Sequence, residues 1–118
     1  MPREMPAFTK SPPELVARFD AAAARHAQAE RRKMFGYPAL FVGGNLATGL
    51  FADRWMVRLR PADLEAALAL PGAEPFWPMP GKGMKGYATL PQDVVEDDAR
   101  LDEWIARSLA AAGDLPPK

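Results

Sequence analysis

The chain is expected to fold as a single α+β domain, with an antiparallel sheet of about four strands packed with an N-terminal and a C-terminal helix. Three observations point there. Apolar residues recur at three- and four-residue spacing near each end of the chain, the period of a helix with one buried stripe. Between residues 34 and 60 the period falls toward two, as in strands, and is broken by the short punctuations Gly43-Gly44 and Ala52-Asp53. Those gaps are too short for parallel crossovers, which need about a dozen residues or more, so the strands must form a meander. The predicted order is helix-strand-strand-strand-helix-strand-helix.

Residues 1–10, with Pro2 and Pro6, show little periodicity and read as a flexible leader. Ser11-Pro12-Pro13-Glu14 has the form of a capping box: Ser11 accepts an N–H of the first turn, Pro12 suits N1, and Glu14 bonds back. In the helix that follows, Leu15, Phe19, Ala22, Ala23 and His26 fall on one stripe. The first strand is expected over Met34–Val42 and the second over Asn45–Phe51, joined by a glycine pair that tolerates positive φ. The third alternates most cleanly, with Trp55, Val57 and Leu59 on one face and Arg54, Met56, Arg58 and Arg60 on the other.

Beyond the meander, Arg60-Pro61 opens a short helix with Leu64, Ala67 and Leu68 inward, ended by Pro71-Gly72. Residues 71–83 are dense in proline and glycine and read as a long loop carrying Phe76 and Trp77, of the kind that covers a core or forms a site. A last strand is expected over Met84–Leu90, stopped by Pro91. The final helix is predicted from Asp97 to Ala112, with Leu101, Trp104, Ile105, Ser108 and Leu109 on one face and an acidic first turn that the helix dipole favours. Gly113 ends it, and 114–118 is expected to be a loose tail.

Composition narrows the function classes. The 118 residues are 48% hydrophobic and 25% charged, enough for one modest core and unlike a disordered chain. With no cysteine, disulfides, thiolate chemistry and a zinc site built on sulfur are excluded. No apolar run is long enough to span a membrane or form a secretory signal, and the cytoplasm is the expected location. The net charge of zero conceals an asymmetry: residues 1–33 carry net +3 and residues 91–118 net −4. Oppositely charged surface helices explain that most simply, and a basic patch for an acidic partner is the sharper reading.

Several short motifs, taken in order, resemble the N-terminal domain of the TfoX competence-regulator family, which also occurs as free-standing small proteins. They are Arg32-Lys33-Met34-Phe35-Gly36, the glycine turn Gly43-Gly44, Phe51-Ala52-Asp53, Glu74-Pro75-Phe76, Gly81-Lys82-Gly83-Met84 running into Gly86-Tyr87, Leu90-Pro91, and the late Leu101 and Trp104 helix. The resemblance spans about residues 12–112. It implies a regulatory, noncatalytic domain and an association with competence. Tyr37-Pro38 stands where the family commonly has a second glycine, and Pro38, lacking an N–H, is expected at an edge or bulge.

Catalytic chemistry finds little material. His26 is the only histidine and reads as a packed imidazole; the only serines, Ser11 and Ser108, lie in helices without a base and orienter beside them. Asp93, Glu96, Asp97 and Asp98 read as an acidic helix start rather than a metal site. No cofactor and no metal are expected, and the chain is read as a non-enzyme. The candidate binding residues are Arg32, Lys33, Arg58, Phe76, Trp77, Lys82 and Lys85. Gly81-Lys82-Gly83 lacks the fuller phosphate-loop motif and reads as a turn, although Lys82 and Lys85 could add charge for a small anion. A protein partner or self-association is the first expectation, a nucleic-acid module the second, and an anion- or nucleotide-dependent enzyme the third.

Overall fold

A computed structural model describes residues 11–34, 36–76 and 86–117. The architecture is α+β, as predicted, but the antiparallel sheet has six strands in the order β1-β2-β3-β4-β6-β5. Helix α1 (Pro13–Ala24) leads into β1 (Glu30–Met34), β2 (Tyr37–Val42), β3 (Asn45–Phe51) and β4 (Arg54–Arg58). Then come α2 (Pro61–Leu68), the two-residue β5 (Glu74–Pro75), β6 (Tyr87–Thr89), the single-turn α3 (Gln92–Val95) and α4 (Asp98–Gly113).

The expected first strand is in fact a hairpin. Gly36 sits at φ +82°, a conformation that L side chains rarely adopt, and reverses the chain so that Met34 pairs with Tyr37 and Glu30 with Phe41. The basic run Arg31-Arg32-Lys33 therefore forms an outer strand, and continuous hydrophobicity from Met34 to Val42 concealed the reversal. Pro38 is accommodated at the start of β2, where the ladder to β3 begins only at Ala39. The other turns follow expectation: Gly43 and Gly44 both have positive φ, and Ala52 is held at φ +56° in the turn before β4.

Phe19 of α1 meets Trp55 of β4 with ring centroids 5.1 Å apart. Arg18–Asp98 (3.1 Å) and Arg25–Asp102 (2.9 Å) bind α1 to α4, so both helices lie on the sheet face that carries Trp55, Val57 and Leu50. Arg107 of α4 reaches Asp63 of α2 at 3.4 Å. Strand alternation then sets Tyr37, Ala39, Gly49, Phe51, Met56, Arg58 and Tyr87 on the opposite face. That face is buried as well: Met56, predicted on the face with Arg54, Arg58 and Arg60, is fully enclosed, and Phe51, Phe76 and Tyr87 form a chain of ring contacts.

Three local expectations are corrected. No capping box forms, because Pro12 rather than Ser11 is the N-cap of α1; Ser11 Oγ instead donates to the Ala52 carbonyl at 2.6 Å, tying the start of the helix to the β3–β4 turn. His26 lies in the turn after α1 rather than on its stripe. Leu68 is exposed, leaving Ala67 as the buried residue of α2. The tail beyond α4 makes specific contacts: Asp114 accepts two hydrogen bonds from Arg60, and the Pro116 carbonyl accepts from Asn45 Nδ2 at 2.9 Å. Helix α4 is capped by Asp97, whose carboxylate accepts from the Ala99 and Arg100 amides.

Candidate functional site

Pairing of the cations is the first guide to where a partner could bind. Every described arginine on a helix or at its C-cap has a carboxylate: Arg18 and Arg25 on α4 acids, Arg100 on Asp93, and Arg107 on Glu103 and Asp63. Arg60, predicted on the same strand face as Arg54 and Arg58, is engaged by Asp114. On the sheet, Arg31 pairs with Asp20 and Arg32 with Glu30, while Arg32 also lies over the Phe41 ring at 5.4 Å. Lys33, Arg54 and Arg58 have no carboxylate partner among the described residues.

The predicted site residues do not assemble into one patch. Arg32 and Arg58 share the face away from the helices, but β1 and β4 are three strand spacings apart, about 14 Å. Lys33 pairs with Pro38 and falls on the other face of β1. Phe76 is fully buried, and its ring lies 6.4 Å from that of Tyr87. Trp77, Lys82 and Lys85 lie outside the described residues.

Arg58 has the most distinctive surroundings. It pairs across the ladder with Tyr87, and its half-buried guanidinium stacks over the Tyr87 ring 4.9 Å from the centroid. Its Nε donates to the Tyr87 hydroxyl at 2.9 Å, and its Nη2 donates to the same oxygen. Burial pushes the Tyr87 phenol above its ordinary pKa, against an opposing pull from Arg58, so the hydroxyl keeps its proton at neutral pH. The sequence nominates Arg58, and Tyr87 only as part of a family motif. They stand 29 positions apart, and only strand pairing brings them together.

Other polar groups are committed to structure. Thr48 Oγ1 accepts from Trp55 Nε1 at 2.9 Å and donates to the Met56 carbonyl at 2.7 Å. Ser108 Oγ donates to the Ile105 carbonyl. His26 Nε2 lies 3.2 Å from Asp102 Oδ1 at the junction of α1 and α4. A cleft of about 440 Å³ lies between Pro12, Glu14 and Arg18, the Asp53 turn, and Gln92 and Glu96. None of the described residues predicted for the site lines it. No group of metal-ligating side chains is present among the described residues, and no helix among them is long and apolar enough to cross a membrane.

The Asp102 cluster carries a pH prediction. Partial burial raises the Asp102 pKa, but hydrogen bonds from Arg25 and His26 outweigh it and leave the carboxyl below its ordinary 3.8. A carboxylate with a depressed folded-state pKa contributes stability that is complete above the unfolded value and is lost as pH falls through the folded one. The stability advantage of the wild type over Asp102→Asn should therefore hold at neutral pH and narrow once pH drops below 3.8. Urea melts of both proteins across that range check it.

Taken together, the fold and its sites define a small domain in which a six-stranded antiparallel sheet carries α1 and α4 on one face and, among the described residues, holds its cations without a carboxylate on strands. Residues 14–112 match the family model of the TfoX N-terminal domain, which is most of the chain, and the chain belongs to that family. Neither the curated proteins nor the solved structures gave a match.

Proposed function

We propose that this TfoX N-terminal domain is a noncatalytic regulatory module that engages a protein partner along the free edge of β1. The observation that carries this reading is the strand itself. Five residues long and outermost in the described sheet, it exposes Glu30, Arg31, Arg32 and Lys33, and among the described residues only one side of its backbone is paired. The opposite edge is a two-residue strand containing Pro75, a poor template for pairing. A partner strand added to β1 would gain main-chain hydrogen bonds, and acidic side chains on it would meet the basic run.

Self-pairing of β1 is less favoured, because an antiparallel copy would set Arg31, Arg32 and Lys33 against the same three cations. The committed roles of His26, Ser11 and Ser108 support a noncatalytic reading. A nucleic-acid role has weaker support: it would rest on the cations alone, two of which already hold Asp20 and Glu30, whereas a partner strand is held first by main-chain hydrogen bonds.

The test compares wild type with the double variant Arg32→Glu, Lys33→Glu as bait, followed by hydrogen exchange on the recovered complex. The expected result is a protein captured by wild type and lost with the variant, with the amides of residues 30–34 protected in the complex. Equal capture by both, or protection elsewhere only, would sink the edge reading. Capture that is abolished by nuclease and by raised salt would replace it with the nucleic-acid module.

A further inference from the structure

We infer that Arg58 and Tyr87 form a binding site for a phosphoryl group, independent of the β1 edge. Arginine is almost never fully buried without a partner charge, and Arg58 is already half-buried. Arg58 has none among the described residues. A guanidinium carries five N–H donors. Two of them point at the Tyr87 oxygen, leaving three without a described acceptor.

Tyr87 is placed in the same condition. Its oxygen accepts from Arg58, so its own O–H must point elsewhere, and no acceptor for it lies among the described residues. Two residues along the same face of β6, Thr89 Oγ1 is enclosed with no hydrogen-bond partner. Thr89 is donor and acceptor alike, so the excess of donors over described acceptors rests on Arg58 and Tyr87. An anion with several oxygens matches that set of donors.

The geometry favours a phosphoryl over a carboxylate. With the Nε edge of Arg58 occupied by Tyr87, the Nη1/Nη2 end remains as a fork, and the Tyr87 O–H supplies a donor in a separate direction. A phosphoryl group has a third oxygen to give the phenol, whereas a carboxylate held by the fork would have to share an oxygen already engaged there. The Arg58–Tyr87 stack keeps the fork oriented before an anion arrives, which lowers the ordering cost of binding.

Inorganic phosphate is the probe, titrated into ¹⁵N-labelled protein at constant ionic strength, with acetate as the parallel arm. Saturable shifts are expected at the Arg58 Nε–H and at the Arg58 and Tyr87 amides. Arg58→Gln should weaken binding about tenfold or more, and Arg58→Lys, which keeps the charge but not the fork, by about threefold or more. Tyr87→Phe keeps the ring and should weaken binding about threefold to tenfold with the thermal melt little changed. Arg54→Gln removes an equal charge from the same strand face and should leave the affinity within about twofold. Linear, non-saturating shifts, or an equal loss in Arg54→Gln, would overturn the site. Tighter binding of acetate than of phosphate would overturn the phosphoryl assignment.

Discussion

Trp55→Ala is expected to destabilise the domain by about 3–5 kcal/mol, a large share of the total stability of a chain this size. Trp55 is 1% exposed in the middle strand of the sheet, and its ring packs against Phe19 of α1. Removing it opens a cavity between sheet and helix that rigid strands cannot collapse into. It also takes away the Nε1 donor to Thr48. Thr48 still donates to the Met56 carbonyl, so its hydroxyl is not orphaned, and Trp55→Phe should cost distinctly less than the alanine variant. Urea unfolding should show the midpoint falling with an unchanged slope in both variants. A Trp55→Ala midpoint close to that of wild type would mean that α1 does not rest on this ring.

The second large effect belongs to Gly49, and it arises from space rather than backbone strain. A Cβ added there would lie 2.9 Å from Ala39 Cβ, 3.1 Å from the Pro38 carbonyl oxygen and 3.2 Å from Ala39 Cα. None of these is the flexible end of a side chain, so β2 and β3 would have to move apart. Gly49→Ala should therefore cost about 1–3 kcal/mol although it adds a single methyl. Ala39→Gly made in the same chain removes the shortest contact but leaves the carbonyl one, so it should rescue part of the loss. A double-mutant cycle reads that coupling directly, and strict additivity would show that the two strands yield freely.

Much of the fold was legible because its signals are local. The stripe of α4 and its acidic start, the proline opening α2, the Gly43-Gly44 turn and the alternation of β4 each lie within a dozen residues and appear close to where expected. The β1–β2 hairpin was hidden because Met34–Val42 is uniformly apolar, so periodicity gave no mark of the reversal at Gly36. Strand β5 escaped for a different reason: two residues have no period, and only the partner β6 makes Glu74–Pro75 a strand. Ser11 fits a capping box by spacing alone, yet its hydroxyl found the Ala52 carbonyl, 41 positions away.

The candidate site divides along the same line. Arg32, Lys33 and Arg58 could be nominated from composition, since cations beside glycine turns and on a clean strand are visible in one dimension. Which of them lacks a carboxylate could not. Arg60 looked equivalent to Arg58 until Asp114 closed on it from beyond α4, and Arg58 gained its character from Tyr87 on another strand.

By itself, the sequence determined the α+β class, the family and the positions of most helices and strands, because propensity, capping and hydrophobic period act over a few neighbouring residues. Tertiary structure alone decided that Arg31-Arg32-Lys33 is a sheet edge, that Met56 is enclosed on the face away from the helices, and that Arg58 stands beside a phenol instead of an acid. Those outcomes depend on which distant strands share a ladder, and on the balance of donors and acceptors that the ladder leaves behind.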